Sequence, residues 1–400
     1  MQGDSQPLQA GSALRLLLLV FLVTAASAAM WKLARIDAGV GPAAGPDRIV
    51  ARYDSRAGDA ASARQAAFAV LHDRPMEGAA FRWLAAAADA AGDDARASAL
   101  YAAALRLKPR DIGARAWLLE RCLDRGDMLQ AADHLDALLR TSPDAGRPQL
   151  QMVMARTSDR QLRAALVGVL AEDPPWRDLL PSVLASDSEP ARAEALLGDL
   201  SSRGLRTAEL SLRASLLQSM GRPGQARATW SRGLSREQKQ FDGRIFDAGF
   251  ELGPGPEPYG WRFETSPEVL VGLDASHAAQ GRSSLLLILP DRAVQFSGVS
   301  QQLTLPPGRY VLQVQADIAL VGSGRPFAWL LTCGNGEQRL AHLALPKRTA
   351  GWQLFSLAFE VEGGCPTQTL KLVHEGRNLA ERTLSGQIAI DAMTLRRVPG

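Results

Sequence analysis

The sequence predicts a multidomain α + β protein: an N-terminal signal or anchor helix, an α-solenoid of helical hairpins, and a C-terminal antiparallel β-sandwich. Three observations support this order. An apolar run, LLLLVFLVTAASAA, fills residues 16 to 29. Gly58-Asp59, Gly92-Asp93 and Gly126-Asp127 recur every 34 residues, and Pro75, Pro109 and Pro143 recur at the same interval. From Phe246 onward, short apolar segments alternate with turn residues up to the C-terminus. The expected boundaries are 1–36 for the signal peptide or membrane anchor, 37–47 for a linker, 48–240 for the helical repeats and 241–400 for the sandwich.

Four hundred residues, 46% of them apolar, are enough for two or three structural units with cores of their own. The formal charge of +3 comes from 45 basic and 42 acidic residues in mixed order. Without a basic stripe to neutralise phosphates, nucleic acid is excluded as an expected partner.

The apolar run follows Arg15 and ends in Ala26, Ser27 and Ala28, a small-residue cleavage pattern. Counted to Trp31 it spans 16 residues, short of the roughly 20 that cross a bilayer. It therefore reads as an export signal, either cleaved or retained as a membrane anchor through residues 13–31. Arg15 favours an N-terminus inside, which places the rest of the chain outside the cytoplasm, in the periplasm or cell envelope. The stretch DAGVGPAAGPD, residues 37 to 47, reads as a flexible spacer.

A fixed 34-residue period fits paired helices, with glycine turning the chain between them and proline closing the second. In the clearest unit Leu84, Ala85 and Ala88 share one helix face, and Ala97, Tyr101 and Ala104 share another. Residues 78 to 111 resemble the tetratricopeptide repeat (TPR) family at Phe81, Leu84, Gly92, Ala97, Tyr101, Ala104 and Pro109. The next unit matches at Leu118, Gly126, Ala131 and Pro143, and a later one at Ala214, Gly221, Ala226 and Trp230; between 149 and 207 the period is lost. The resemblance implies a groove that docks a protein partner, with a plain spacer as the alternative.

In the C-terminal half, 246–261 (FDAGFELGPGPEPYGW) reads as the first strand. Further strands are expected at 283–289, 298–305, 309–320, 326–333, 338–345, 352–361, 367–374 and 386–397. About nine to eleven strands of this spacing make a two-sheet sandwich. The segments GFE at 249–251, Gly260-Trp261, SHAAQGRSSLLL at 276–287, PPGRYVLQVQADI at 306–318, GWQLFSLAFEV at 351–361 and IAIDAMTLRRV at 388–398 are similar to the jelly-roll carbohydrate-binding modules and their galactose-binding-like relatives. The resemblance implies an oligosaccharide or polysaccharide ligand. It also implies a structural Ca2+ held by Glu251 and Asp391, with carbonyls near Gln280 to Ser283 completing the six to eight oxygens calcium takes; solvated strand-end carboxylates are the alternative.

A sugar site needs flat aromatics beside planar hydrogen-bonding groups. Alternation along 310–318 puts Val311, Gln313, Gln315 and Asp317 on one face, and Tyr310, Leu312, Val314 and Ile318 on the other. The Gln313, Gln315, Asp317 face is the expected ligand face, with Trp329, Tyr259, His342 and Arg325 as neighbours. Trp261 and Trp352 are expected in the core, and Trp329 in either role. In an exported domain Cys333 and Cys365 are expected to form a disulfide, and Cys122 a buried thiol.

Glu360 and Glu362 form the nearest carboxylate pair for glycoside hydrolysis and read as a solvated strand end. No serine elbow, P-loop, dinucleotide fingerprint or HExxH occurs, and the five histidines are scattered. The expected function is that of a non-catalytic exported adaptor or scaffold, with a helical groove for protein and a sandwich for glycan, in bacterial surface polysaccharide (exopolysaccharide) assembly or export. The alternatives are an envelope assembly factor whose sandwich no longer binds sugar and makes protein contacts instead, and a divergent glycosidase.

Overall fold

The computed structural model describes residues 60–334 and 338–399. The expected signal or anchor, the linker and the Gly58-Asp59 pair lie outside the described residues. Among these residues eleven α-helices precede two antiparallel five-stranded sheets, and a twelfth, short helix (Leu379–Arg382) lies between the last two strands. None of the helices is long and apolar enough to cross a membrane. The described residues divide into two compact units, with the boundary between Gln149 and Leu150. The division falls well before residue 240, so the later helices belong to the same unit as the sandwich.

In the first unit the helices are α1 (Ala60–Asp73), α2 (Gly78–Ala90), α3 (Asp94–Leu107), α4 (Ile112–Arg125) and α5 (Met128–Thr141). The recurring Gly-Asp pair is a stop followed by a start. Gly92 and Gly126 adopt φ of +77° and +80°, the left-handed conformation that ends a helix. Asp93 and Asp127 then accept the backbone N–H groups of Arg96 and Gln130, capping α3 and α5. Alanines let the helices approach closely: Ala85, Ala97, Ala104 and Ala114 are fully buried in one cluster with Tyr101. Tyr101 stacks on Trp117 at 4.4 Å, and burial pushes its hydroxyl up to about 12. Cys122 is a buried free thiol. Pro143 does more than follow α5, because it opens the next helix, α6 (Pro143–Met154).

In the second unit α7 (Arg160–Ala171), α8 (Leu180–Ala185), α9 (Pro190–Leu200), α10 (Thr207–Ser219) and α11 (Pro223–Arg232) keep no constant interval. A buried ion pair fixes them instead. The Arg177 guanidinium donates to both carboxylate oxygens of Glu209 at 2.7 and 2.6 Å, and to the carbonyls of Leu170 and Gly204. These bonds compensate the cost of burying both charges.

The sandwich strands are β1 (Arg262–Phe263), β2 (Leu270–Asp274), β3 (Ser284–Ala293), β4 (Val299–Leu303), β5 (Gly308–Val321), β6 (Phe327–Cys333), β7 (Gln338–Ala344), β8 (Gln353–Val361), β9 (Gln368–His374) and β10 (Thr383–Val398). One sheet runs β1-β4-β9-β6-β7 and the other β2-β3-β10-β5-β8. Inward residues of both sheets, among them Leu285, Tyr310, Val314, Phe327, Leu372 and Ile390, fill one core. Cys333 and Cys365 are joined by a disulfide with their Cα atoms 5.6 Å apart.

The segment 246–261 is not the first strand. It is a looped connector, with Asp247 and Phe250 in the left-handed region and glycines and prolines throughout, and pairing begins only at Arg262. Its aromatics serve two cores. Phe250 and Trp261 enter the sandwich, while Phe246 and Tyr259 pack edge-on against Trp230 of α11, at 5.1 and 5.6 Å. The Trp230 indole N–H donates to the Pro256 carbonyl at 2.8 Å, which ties the last hairpin to the sandwich.

Candidate functional site

Strand β5 carries the expected alternation. Tyr310, Leu312, Val314 and Ile318 are buried, while Val311, Gln313, Gln315 and Asp317 face outward and are half-exposed. The register extends this outward row across the sheet. Gln313 lies between Thr394 and Ser356, and Gln315 between Asp391 and Leu354. The Thr394 hydroxyl donates to the Gln313 amide oxygen at 3.3 Å.

At one end of the row Asp317 organises a second group of side chains. Its carboxylate accepts from the Thr349 hydroxyl at 3.0 Å and lies 2.9 Å from the His277 ring Nε2. The His277 ring in turn stacks on Trp352, with centroids 5.0 Å apart and planes at 23°. Trp352 immediately precedes β8 and has the parity of Leu354, Ser356, Ala358 and Glu360, the more exposed side of that edge strand. Trp352 is therefore not a core residue. It is a partly exposed aromatic beside the amide stripe, and the alternation of β8 is the sequence signal that gives its direction.

The other expected neighbours are elsewhere. Trp329 is 1% exposed and packs 6.0 Å from Trp261 in the core, because β6 is covered on its inner face by the opposite sheet. Tyr259, 2% exposed, sits in the junction with α11, where burial pushes its hydroxyl up to about 12. His342 belongs to the other sheet and bonds Glu375 at 2.8 Å. Arg325 lies ahead of β6 and pairs with Glu381 at 3.0 Å. Of the seven expected residues, Gln313, Gln315 and Asp317 come together, whereas Trp329, Tyr259, His342 and Arg325 do not join them.

Glu251 and Asp391 converge on one loop. A Cβ at Gly249 would lie 3.8 Å from Asp391 Oδ1 and 4.0 Å from Glu251 Oε1. Asp391 Oδ2 accepts the N–H groups of Ala279 and Gln280, both at 2.8 Å, and Oδ1 accepts that of Ala392. Glu251 Oε1 accepts the Arg282 N–H at 2.8 Å. Burial holds the Asp391 carboxyl above the usual carboxylate range against these N–H donors, and the Glu251 charge adds to the rise. Among the described residues no group of three or more His, Cys, Asp or Glu is placed to hold a metal. Two carboxylates supply at most four of the six to eight oxygens calcium takes, so a calcium here would need carbonyls of the Gln280 to Ser283 segment as well, and both carboxylates already accept N–H donors. As placed, they clamp the 279–282 turn that follows His277.

Glu360 is exposed and lies 3.7 Å from Arg309, and Glu362 follows the end of β8.

No protein-family model and no curated protein matches the chain. Among solved structures, the C-terminal region matches jelly-roll folds of carbohydrate-binding modules. TmCBM61, solved with beta-1,4-galactotriose, is 19% identical, with 39% of this chain and 99% of that one covered and a TM-score of 0.29. The CBM22-1 xylan-binding domain of Paenibacillus barcinonensis Xyn10C is 17% identical, with 38% and 93% covered and a TM-score of 0.27. The enzymatically active domain of the bacteriophage CBA120 tailspike protein 4 is 12% identical, with 39% and 21% covered and a TM-score of 0.29. The likeness is one of fold.

Proposed function

We propose that the sandwich is a non-catalytic glycan-binding module and that its ligand lies on the outer face of the β2-β3-β10-β5-β8 sheet. The observation that carries this reading is the partly exposed Trp352, stacked on His277, at the end of the Gln313, Gln315, Asp317 stripe. An indole supplies a flat surface for the C–H face of a sugar ring, and the neighbouring amides and carboxylate supply planar acceptors and donors for its hydroxyls. With the export expected of residues 16–29, such a module would engage envelope or surface polysaccharide, and the helical hairpins would hold a protein partner.

The test is titration of the full-length protein with an immobilised panel of neutral and acidic glycans, in parallel with Trp352→Ala and Gln315→Ala. Saturable binding that weakens tenfold or more in both variants supports the face. Binding unchanged in both variants, or absent across the panel for the folded protein, removes it.

A second reading has its own observation. On the same sheet Leu270 and Ile288 stand opposite each other in register, 52% and 44% exposed. Exposed apolar neighbours favour a protein contact. Ile288→Asp would then abolish capture of the partner, and the wild-type protein would bind no glycan of the panel.

A further inference from the structure

Of the four strands that end the two sheets, β8 is left unguarded. β1 has two residues and β2 five, and β7 carries the exposed Arg339. β8 runs nine residues and pairs with β5 without a register shift, and among the described residues no strand pairs with its other edge. From Ala350 to Phe359 there is no charged residue and no proline. Charge, proline, bulges and shortness are the devices that keep sheet edges from pairing, and this edge has none of them along its middle.

Charges stand only at the two ends of the edge, and they are of opposite sign. At one end Arg348 bridges Ala319 and follows Lys347, and at the other Glu360 lies in register with Arg309 and Glu362 follows the strand. Leu354, 59% exposed, stands between them opposite Gln315. Ala319, Gln315 and Arg309 share the outward parity of β5, so Arg348, Leu354 and Glu360 lie on the outer side of one edge. We infer that β8 pairs antiparallel with β8 of a second copy of this chain, joining two β2-β3-β10-β5-β8 sheets edge to edge.

The charge layout argues for a second copy as the occupant. Along β5, Ala319 and Arg309 lie on opposite sides of Gln315, so a two-fold axis near Leu354 and Phe355 brings each copy's Arg348 toward the other's Glu360. Parallel pairing would instead set like charges side by side. Among the described residues no ion pair holds Arg348, and Glu360 has only Arg309 at 3.7 Å, with both side chains more than half exposed. The same axis lays the two Leu354 side chains close together and removes them from water. An edge contact belongs to the small interfaces, below about 1,200 Å², so the dimer is expected to be weak and concentration-dependent. The inference does not rest on the glycan reading.

Sedimentation equilibrium of the full-length protein, from micromolar to millimolar concentration, is expected to show monomers passing to dimers. Residue-resolved hydrogen exchange should slow at alternate amides of 353–359 as the dimer forms. The decisive step is a charge exchange with two proteins, Arg348→Glu and Glu360→Arg, each checked for its fold by circular dichroism. Each alone sets like charges at both ends of the pairing and is expected to weaken self-association tenfold or more. An equimolar mixture restores dimers, because each acidic end again meets a basic one, and Leu354→Lys weakens association in every background. A folded protein that stays monomeric at millimolar concentration overturns the inference. So does a dimer that both reversals leave unchanged, or a mixture of the two that associates no better than either alone.

Discussion

The first helical hairpins and the sandwich bury their apolar surface with different side chains. In the hairpins the deepest contacts are made by Ala85, Ala97, Ala104 and Ala114, whose small size lets the helix backbones approach. In the sandwich they are made by Trp261, Trp329, Tyr310 and Phe327, which span the gap between two sheets. The hairpins are therefore sensitive to added volume, and the sandwich to volume removed.

The largest effect should come from the sandwich. Trp329→Ala is expected to lower stability by about 3–5 kcal/mol, the range for deleting a buried aromatic. Trp352→Ala is expected to stay within about 0.5 kcal/mol, because Trp352 covers no core. Denaturant unfolding of both variants separates them, and equal losses would mean that Trp352 is as much a core residue as Trp329. In the hairpins, Ala97→Leu is expected to cost about 1–3 kcal/mol through overpacking, although it adds apolar surface. A neutral or stabilising Ala97→Leu would show that the alanine contact is not close-packed.

The comparison also explains what the sequence made legible. The Gly-Asp pairs were readable because their contacts are local: a left-handed glycine and a capping aspartate act within four residues. The ranges of β3 to β10 and the direction of Gln313, Gln315 and Asp317 were readable for the same reason, since alternation is a local property, whereas the short β1 and β2 were not. The alternation of β8 gives the direction of Trp352, which was nevertheless expected in the core, but the partners of Trp329, Tyr259 and Trp352 come from chain that is distant in sequence. Trp329 meets Trp261, Tyr259 meets Trp230, and Trp352 meets His277. The looped connector 246–261 was misread because its aromatics resemble a strand, while its glycines, prolines and left-handed residues forbid one.

Turn geometry gives a smaller effect than either core. Gly126→Ala adds a Cβ that meets nothing within 4 Å, so its cost is purely that of a non-glycine residue at φ +80°, about 1–2 kcal/mol. A loss well beyond that would point to contacts at the hairpin turn that the geometry does not contain.

The connector has a titratable counterpart to this. Burial raises the Asp247 carboxyl above the usual range, against the N–H groups of Leu252, Glu251 and Gly253. Because the folded state favours the protonated form, this group's contribution is fully present below the unfolded carboxylate value of about 3.9 and is lost as pH rises through the folded value. Unfolding free energies of wild type and Asp247→Asn, measured from pH 4 to 7, are expected to show the wild type losing stability relative to the variant as pH rises. A flat difference would mean that the carboxylate is as well solvated in the folded state as in the unfolded one.

The smallest expected effect concerns the clamp at Glu251 and Asp391. To coordinate calcium through Oδ2, Asp391 would have to give up the Ala279 and Gln280 N–H groups, which with the Arg282 N–H bond to Glu251 Oε1 fix the 279–282 turn. The Ala279 and Gln280 donors would be left without their acceptor in a partly buried loop, at a cost of about 1–3 kcal/mol each. Millimolar calcium or EDTA is therefore expected to leave the melting temperature unchanged, while Asp391→Ala lowers it by freeing the turn. A calcium-dependent rise of several degrees would show that the loop turns its carbonyls inward when a cation is present, and the carboxylates would then be ligands that the N–H groups occupy only in its absence.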